Sequence, residues 1–214
     1  MNKLKYFLIL FTIAIAVSSA PFARAISYDF TSDHTSDGAG TPPFGTVTLT
    51  QNAGNVDFNV TLAAGYNFVL TGSADFQYFK FNGTGVAVGD IININQNFPG
   101  FTLSGAAGAF SGDGTGDFTF GITSNHKTGG DPPHFAGPIT FSVANATIAE
   151  LTQGNGTFFN GQEIVFVADI LAPNGSTGPV DATTPNGVPD GGATVMLLGA
   201  ALGAFGMARR FLKS

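Results

Sequence analysis

Apolar and polar residues alternate through most of this chain, and that period of two decides which folds are open to it. Val47 and Leu49 alternate with Thr46, Thr48 and Thr50, and Val56, Phe58, Val60 and Leu62 alternate with Asp57, Asn59 and Thr61. Asn93 separates Ile92 from Ile94; Thr119 and Gly121 separate Phe118, Phe120 and Ile122; Thr140 and Ser142 separate Ile139, Phe141 and Val143. Successive side chains of a strand point to opposite faces, so each run has one face to bury and one that can meet water. Tyr66–Thr71, Asp75–Asn82 and Gln162–Leu171 read as further strands, the last apolar on both faces and therefore central. Turns rich in Gly, Asn and Asp separate the runs at short intervals. Ala149-Glu150-Leu151 makes Thr147–Thr152 the one helical turn expected. The pattern predicts an all-β fold, an antiparallel β-sandwich of jelly-roll type with about eight or nine strands. No fixed period recurs from strand to strand, which argues against a β-solenoid.

The chain has no cysteine, which excludes a disulfide framework, thiolate metal sites and a cysteine nucleophile. Stability must then come from a packed core. Once both end segments are set aside, roughly 165 residues remain, enough for one domain. The 22 phenylalanines, with no tryptophan beside them, supply the apolar material.

Both ends read as targeting segments. Lys3 and Lys5 precede an apolar stretch from Tyr6 to Val17, and Ala23-Arg24-Ala25 fits an A-x-A cleavage site. Residues 1–25 are thus expected to be a signal peptide, with the mature chain starting near Ile26. At the other end, Val188-Pro189-Asp190-Gly191-Gly192 precedes an uncharged run to Ala208, and Arg209-Arg210-Phe211-Leu212-Lys213-Ser214 closes the chain. Gly191 to Ala208 is close to the ~17–25 apolar residues that a helix needs to cross a bilayer, so a single transmembrane helix is expected there. Arg209, Arg210 and Lys213 would act as a basic stop on the cytoplasmic side. Asn174–Gly187, rich in Gly, Pro and small polar residues, has the composition of a linker. The organisation expected is signal peptide 1–25, β-sandwich 26–173, linker 174–187 and sorting segment 188–214.

The segment Val188-Pro189-Asp190-Gly191-Gly192, the apolar run and Arg209-Arg210 together resemble the PEP-CTERM class of bacterial sorting signals, in its VPDSG-CTERM variant. This chain has Gly191-Gly192 where the variant has Ser-Gly. The resemblance covers the last stretch of the chain only. It implies an exported protein, an inner membrane-anchored precursor, an exosortase-type processing enzyme as partner, and a destination at the cell surface or outside the cell. Contact with the membrane is through the C-terminal helix.

The charge distribution agrees with export. Six of the eight basic residues lie in the end segments, leaving Lys80 and Lys127 against all fourteen acidic residues between Ile26 and Asp190. A surface of that sign repels nucleic acid and anionic lipid, so no nucleic-acid partner is expected. Catalytic groupings are scarce. His126 and His134 flank a Gly/Pro loop containing Asp131 and with His34 or an acid could bind a metal, but their spacing fits no zinc signature. No G-x-S-x-G elbow accompanies any serine, so a Ser-His-Asp set lacks its usual setting. Glu150 and Glu163 are the two glutamates, with nothing to show that they converge as a glycosidase pair would. Asp113-Gly114-Thr115-Gly116-Asp117 and Asp33-His34-Thr35-Ser36-Asp37 offer oxygen ligands, with Asp113 and Asp117 as weak metal candidates; each loop has too few carboxylates for calcium's six to eight oxygens. Asp and Gly there suit turn geometry. No cofactor is expected.

Two functions fit these readings. One is a non-enzymatic exported protein sorted to the cell surface or an exopolysaccharide matrix. The other is a carbohydrate-binding, lectin-like module with Tyr66, Tyr78 and Phe98 as a stacking platform. Exposed coplanar rings would favour the second, and rings buried throughout the first.

Overall fold

The computed structural model describes residues 24–35, 38–70, 76–98, 100–112, 114–126 and 134–184, together with Gly199. The strands are β1 (Ala25–Phe30), β2 (Ser32–Asp33), β3 (Gly45–Asn52), β4 (Asn55–Leu62), β5 (Asn67–Phe68), β6 (Phe79–Phe81), β7 (Ile91–Ile92), β8 (Leu103–Gly112), β9 (Gly116–Ser124), β10 (Ile139–Val143), β11 (Phe158–Phe159), β12 (Gln162–Leu171) and β13 (Thr177–Thr183). A four-residue helix, α1 (Ile148–Leu151), and a 3-10 turn at Val88–Asp90 are the helical elements among the described residues between 24 and 184. One sheet runs β1-β3-β4-β10-β7 and the larger runs β2-β13-β12-β6-β9-β8, with β5 and β11 also paired to β12. Every ladder is antiparallel.

The alternation in sequence becomes the inner faces of the two sheets. Val47 and Leu49 of β3, Val56, Phe58 and Val60 of β4, and Ile139, Phe141 and Val143 of β10 are all buried. They share one apolar cluster with Phe79, Phe81, Phe120, Ile122, Phe166, Ala168 and Ile170 of the larger sheet. Aromatic rings join the layers. Phe58 stacks on Phe141 within its own sheet at 4.5 Å and 10°, and meets Phe166 of the other sheet edge-on at 6.1 Å. Such ring pairs add about 0.5–1.5 kcal/mol each beyond the apolar area they bury. Two packed antiparallel sheets with almost no helix bear out the coarse part of the expected fold.

Several elements match the alternation closely. Ile139–Val143 and Gln162–Leu171 are strands as expected, and α1 lies inside Thr147–Thr152. Its ends explain its shortness. Thr147 Oγ1 accepts from Glu150 N–H and Glu150 returns a bond from Thr147 N–H, a reciprocal cap that starts the helix. Other runs shrink. Asn93 takes φ +54°, a left-handed turn that stops β7 at Ile92. Only Asn67–Phe68 of Tyr66–Thr71 and Phe79–Phe81 of Asp75–Asn82 are laddered, residues 71–75 lying outside the described set.

Three strands go beyond the sequence reading. β1 pairs Ala25 with Thr50, and Arg24 C=O accepts from Gln51 N–H at 2.8 Å. The sheet thus begins at the residue where cleavage is expected. β8 pairs with β9 and ends the larger sheet. Its start is clamped by Gln96, whose Nε2 donates to Leu103 C=O at 2.7 Å while Leu103 N–H donates to Oε1 at 2.9 Å. β13 corrects the linker assignment. Thr177–Thr183 ladders along β12 from Leu171 to Ile164, and Val180 and Ala182 are fully buried. The composition misled because Gly178 and Pro179 precede only three alternating residues, Val180-Asp181-Ala182. Proline is tolerated there because β13 is flanked by the two-residue β2 near the sheet's margin.

The expected signal peptide up to Ala23 and the segment 188–214, Gly199 apart, lie outside the described residues. Among the described residues no helix is long and apolar enough to cross a membrane.

Candidate functional site

The larger sheet has an outer face that carries charge in its interior. On β12, Phe166 and Ala168 face the core, so Val167 and Asp169 face away from it. Ladder partners extend that outer row: Val167 sits opposite Asp181 of β13 on one side and Lys80 of β6 on the other, and Lys80 sits opposite Gly121 of β9. Gly121 leaves room for Gln77, whose Oε1 would stand 2.6 Å from any Cβ added there. Phe118, Ile164 and Val167 form a small apolar cluster separate from the main core. Phe118 therefore belongs to this satellite and not to the main cluster that holds Phe141.

Two charged pairs are built into this face. Lys80 Nζ lies 3.3 Å from Asp169 Oδ2, with side chains 2% and 1% exposed. His34 Nε2 donates to Asp181 Oδ2 at 2.6 Å, and Ser32 Oγ lies 3.1 Å from the same nitrogen. The hydrogen bond to Asp181 lifts the His34 pKa above its ordinary value; burial opposes it, and the charges of Asp181 and Asp33 add to the rise. Burial pushes the Asp33 carboxyl upward, but bonds from the N–H groups of Ala39 and Thr35 outweigh it and hold the pKa below the usual range. Asp181 Oδ1 has no hydrogen-bond partner among the described residues.

Ser32, His34 and Asp181 are the residue types of a hydrolytic triad, and their geometry is wrong for one. A relay needs the carboxylate on one ring nitrogen and the hydroxyl on the other. Here both meet Nε2, so the imidazole cannot pass a proton between them. Beside this group lie Phe159, whose ring is 5.8 Å from His34, and Phe158. They are 37% and 64% exposed, the exposed aromatic residues among those described.

The sequence candidates disperse. His126 and His134 are exposed, and Asp131 lies outside the described residues. Glu150 is taken up by the α1 cap, and Glu163 Oε1 accepts from Gly156 N–H at 2.8 Å. Asp117 is exposed on β9, whereas Asp113 is outside the described set. Among the described residues no three His, Asp or Glu side chains gather as a metal site. Tyr66, Tyr78 and Phe98 make no platform: Tyr78 is buried against Phe101 and Phe135, and Tyr66 and Phe98 are partly buried. Ala25 is in β1, while Ala23, Val188, Pro189, Asp190, Gly191, Gly192, Arg209, Arg210 and Lys213 lie outside the described residues.

The buried charges were missed for identifiable reasons. Asp181 was concealed in apparent linker, and Asp169 in an apolar run. The usable signal was Lys80 between Phe79 and Phe81, a charge at the alternate position of a buried strand.

No curated protein and no solved structure matched the chain. One family model did, over residues 187–211, and it is described as the VPDSG-CTERM motif. The chain therefore carries a VPDSG-CTERM sorting motif at its C-terminal end.

Proposed function

We propose that this is a non-enzymatic exported protein whose β-sandwich is delivered to the cell surface or to an exopolysaccharide matrix by its C-terminal tag. The match at residues 187–211 carries the reading, because such a motif is consistent with export and with processing by an exosortase-type enzyme. The rest follows physically. Pro189 fixes its own φ and restricts Val188, presenting a preformed shape to that enzyme. Arg209, Arg210 and Lys213 resist translocation and keep the motif at the outer membrane face. The acidic domain, with two lysines against fourteen carboxylates between Ile26 and Asp190, suits neutral glycan surroundings. Burial of Tyr78 and partial burial of Tyr66 and Phe98 count against those three rings as a lectin-like platform, while Phe158 and Phe159 remain exposed.

Replacing Pro189-Asp190 by Ala-Ala tests the reading in a host that has its own exosortase. Export and folding should persist while the protein stays uncleaved in the inner membrane, measured by mass and fractionation. Deleting residues 209–214 should instead weaken retention and release precursor. Normal processing of the Ala-Ala variant would reduce the segment to an ordinary anchor.

A further inference from the structure

Lys80 is one of two lysines between Ile26 and Asp190, and the fold places it in the interior against a carboxylate. Its Nζ is 3.4 Å from Asp169 Oδ1 and 3.3 Å from Oδ2. Near-equal distances put the nitrogen close to the plane that bisects the carboxylate through Cγ. Both are longer than the ~2.7–2.9 Å of a well-formed ammonium–carboxylate hydrogen bond. The ammonium is thus held beside the carboxylate without a short bond to either oxygen. The surroundings are dry. Val167, opposite Lys80 in the ladder, is fully buried with Phe118 and Ile164. The β8–β9 turn also passes close, so that a Cβ on Gly112 would stand 3.6 Å from Nζ. Two full charges in such a place bear a desolvation penalty. An amide in their place would carry no charge.

We propose that Lys80 and Asp169 condense into an intramolecular amide, a covalent strap between β6 and β12. A proton passes from the ammonium to the carboxylate within the pair, leaving amine and carboxylic acid. The nitrogen lone pair attacks Cγ and the C–N bond forms. The Cγ–OH bond then breaks, and the hydroxyl leaves with an N–H proton as water. One ammonium and one carboxylate become one amide and one water, with no oxidant and no co-reactant. The strap ties residues 89 apart in sequence, in an exported chain that has no cysteine to do so.

The test is a tryptic digest of the full chain, exported in a host, purified and denatured, and read by mass spectrometry. Trypsin should cut after Lys80 and Lys127 in an unlinked chain. With the strap, cleavage after Lys80 is blocked. The peptide carrying Lys80 then stays joined to the one carrying Asp169, and the product is lighter by one water. Lys80→Arg and Asp169→Ala should each abolish the joined peptide and restore full masses. Separate wild-type peptides at full mass, with Lys80 cleaved, would overturn the proposal. Because digestion follows denaturation, the wild-type result decides the matter even where a variant folds poorly.

Discussion

Phe141 and Phe118 occupy equivalent places in the sequence alternation but different places in the molecule. Phe141 stacks on Phe58 and lies 5.6 Å from Phe81, inside the main core. Its replacement by Ala should cost about 3–5 kcal/mol in urea unfolding. Phe118 packs in the small satellite cluster, so Phe118→Ala should fall nearer ~3 kcal/mol. Thr119→Ala loses one exposed hydroxyl bond to Asn82, worth about 0.5–1.5 kcal/mol. Equal losses at all three positions would contradict this packing. His34 gives a pH dependence with a definite sign. Its folded pKa is raised, so the stabilisation from the imidazolium–Asp181 pair is complete below the unfolded pKa of ~6.5. It is lost as pH rises through the folded pKa. The difference in urea midpoint between the wild type and His34→Gln should therefore shrink from about pH 6 upward. A difference constant across that range would mean that His34 is not charged in the fold. That pairing was not visible in sequence, because His34 and Asp181 are 147 residues apart and their meeting depends on β2 lying beside β13.

Elements were legible where bulky apolar residues alternate with polar ones, as in β3, β4, β10 and β12. They were illegible where size failed to mark a face. In β8, Leu103-Ser-Gly-Ala-Ala-Gly-Ala-Phe-Ser-Gly offers two large side chains in ten residues. β1 was masked by its overlap with the Ala23-Arg24-Ala25 pattern, read in sequence as an expected cleavage site, and β13 by its Gly and Pro. The correction to β13 has a direct consequence. Val180 and Ala182 fill the core, and Asp181 holds His34. A chain from Arg24 ending at Pro173 should fail to fold, whereas one ending at Gly187 should give a cooperative β-type circular dichroism melt. Equal melts for the two would restore the segment to a linker.

At the scale of the whole molecule, the β class was legible in the alternation, and the C-terminal sorting motif was readable because it is local. The buried charges were not, since they exist only once β6, β12 and β13 lie side by side. The open margin of the larger sheet has its own consequence. Among the described residues β8 is a ten-residue edge with neither proline nor charge, blunted where Gln96 clamps Leu103 and where the register shifts between Ala107 and Phe110. Unpaired edges of this kind are templates for another strand. Dilute protein should stay monomeric, while crowded protein should associate edge to edge, its scattering rising with concentration. A lysine at exposed Ala107 should suppress that rise. In a dense extracellular layer, the same bare edge would make the protein's own concentration the variable that sets how stiff the layer becomes.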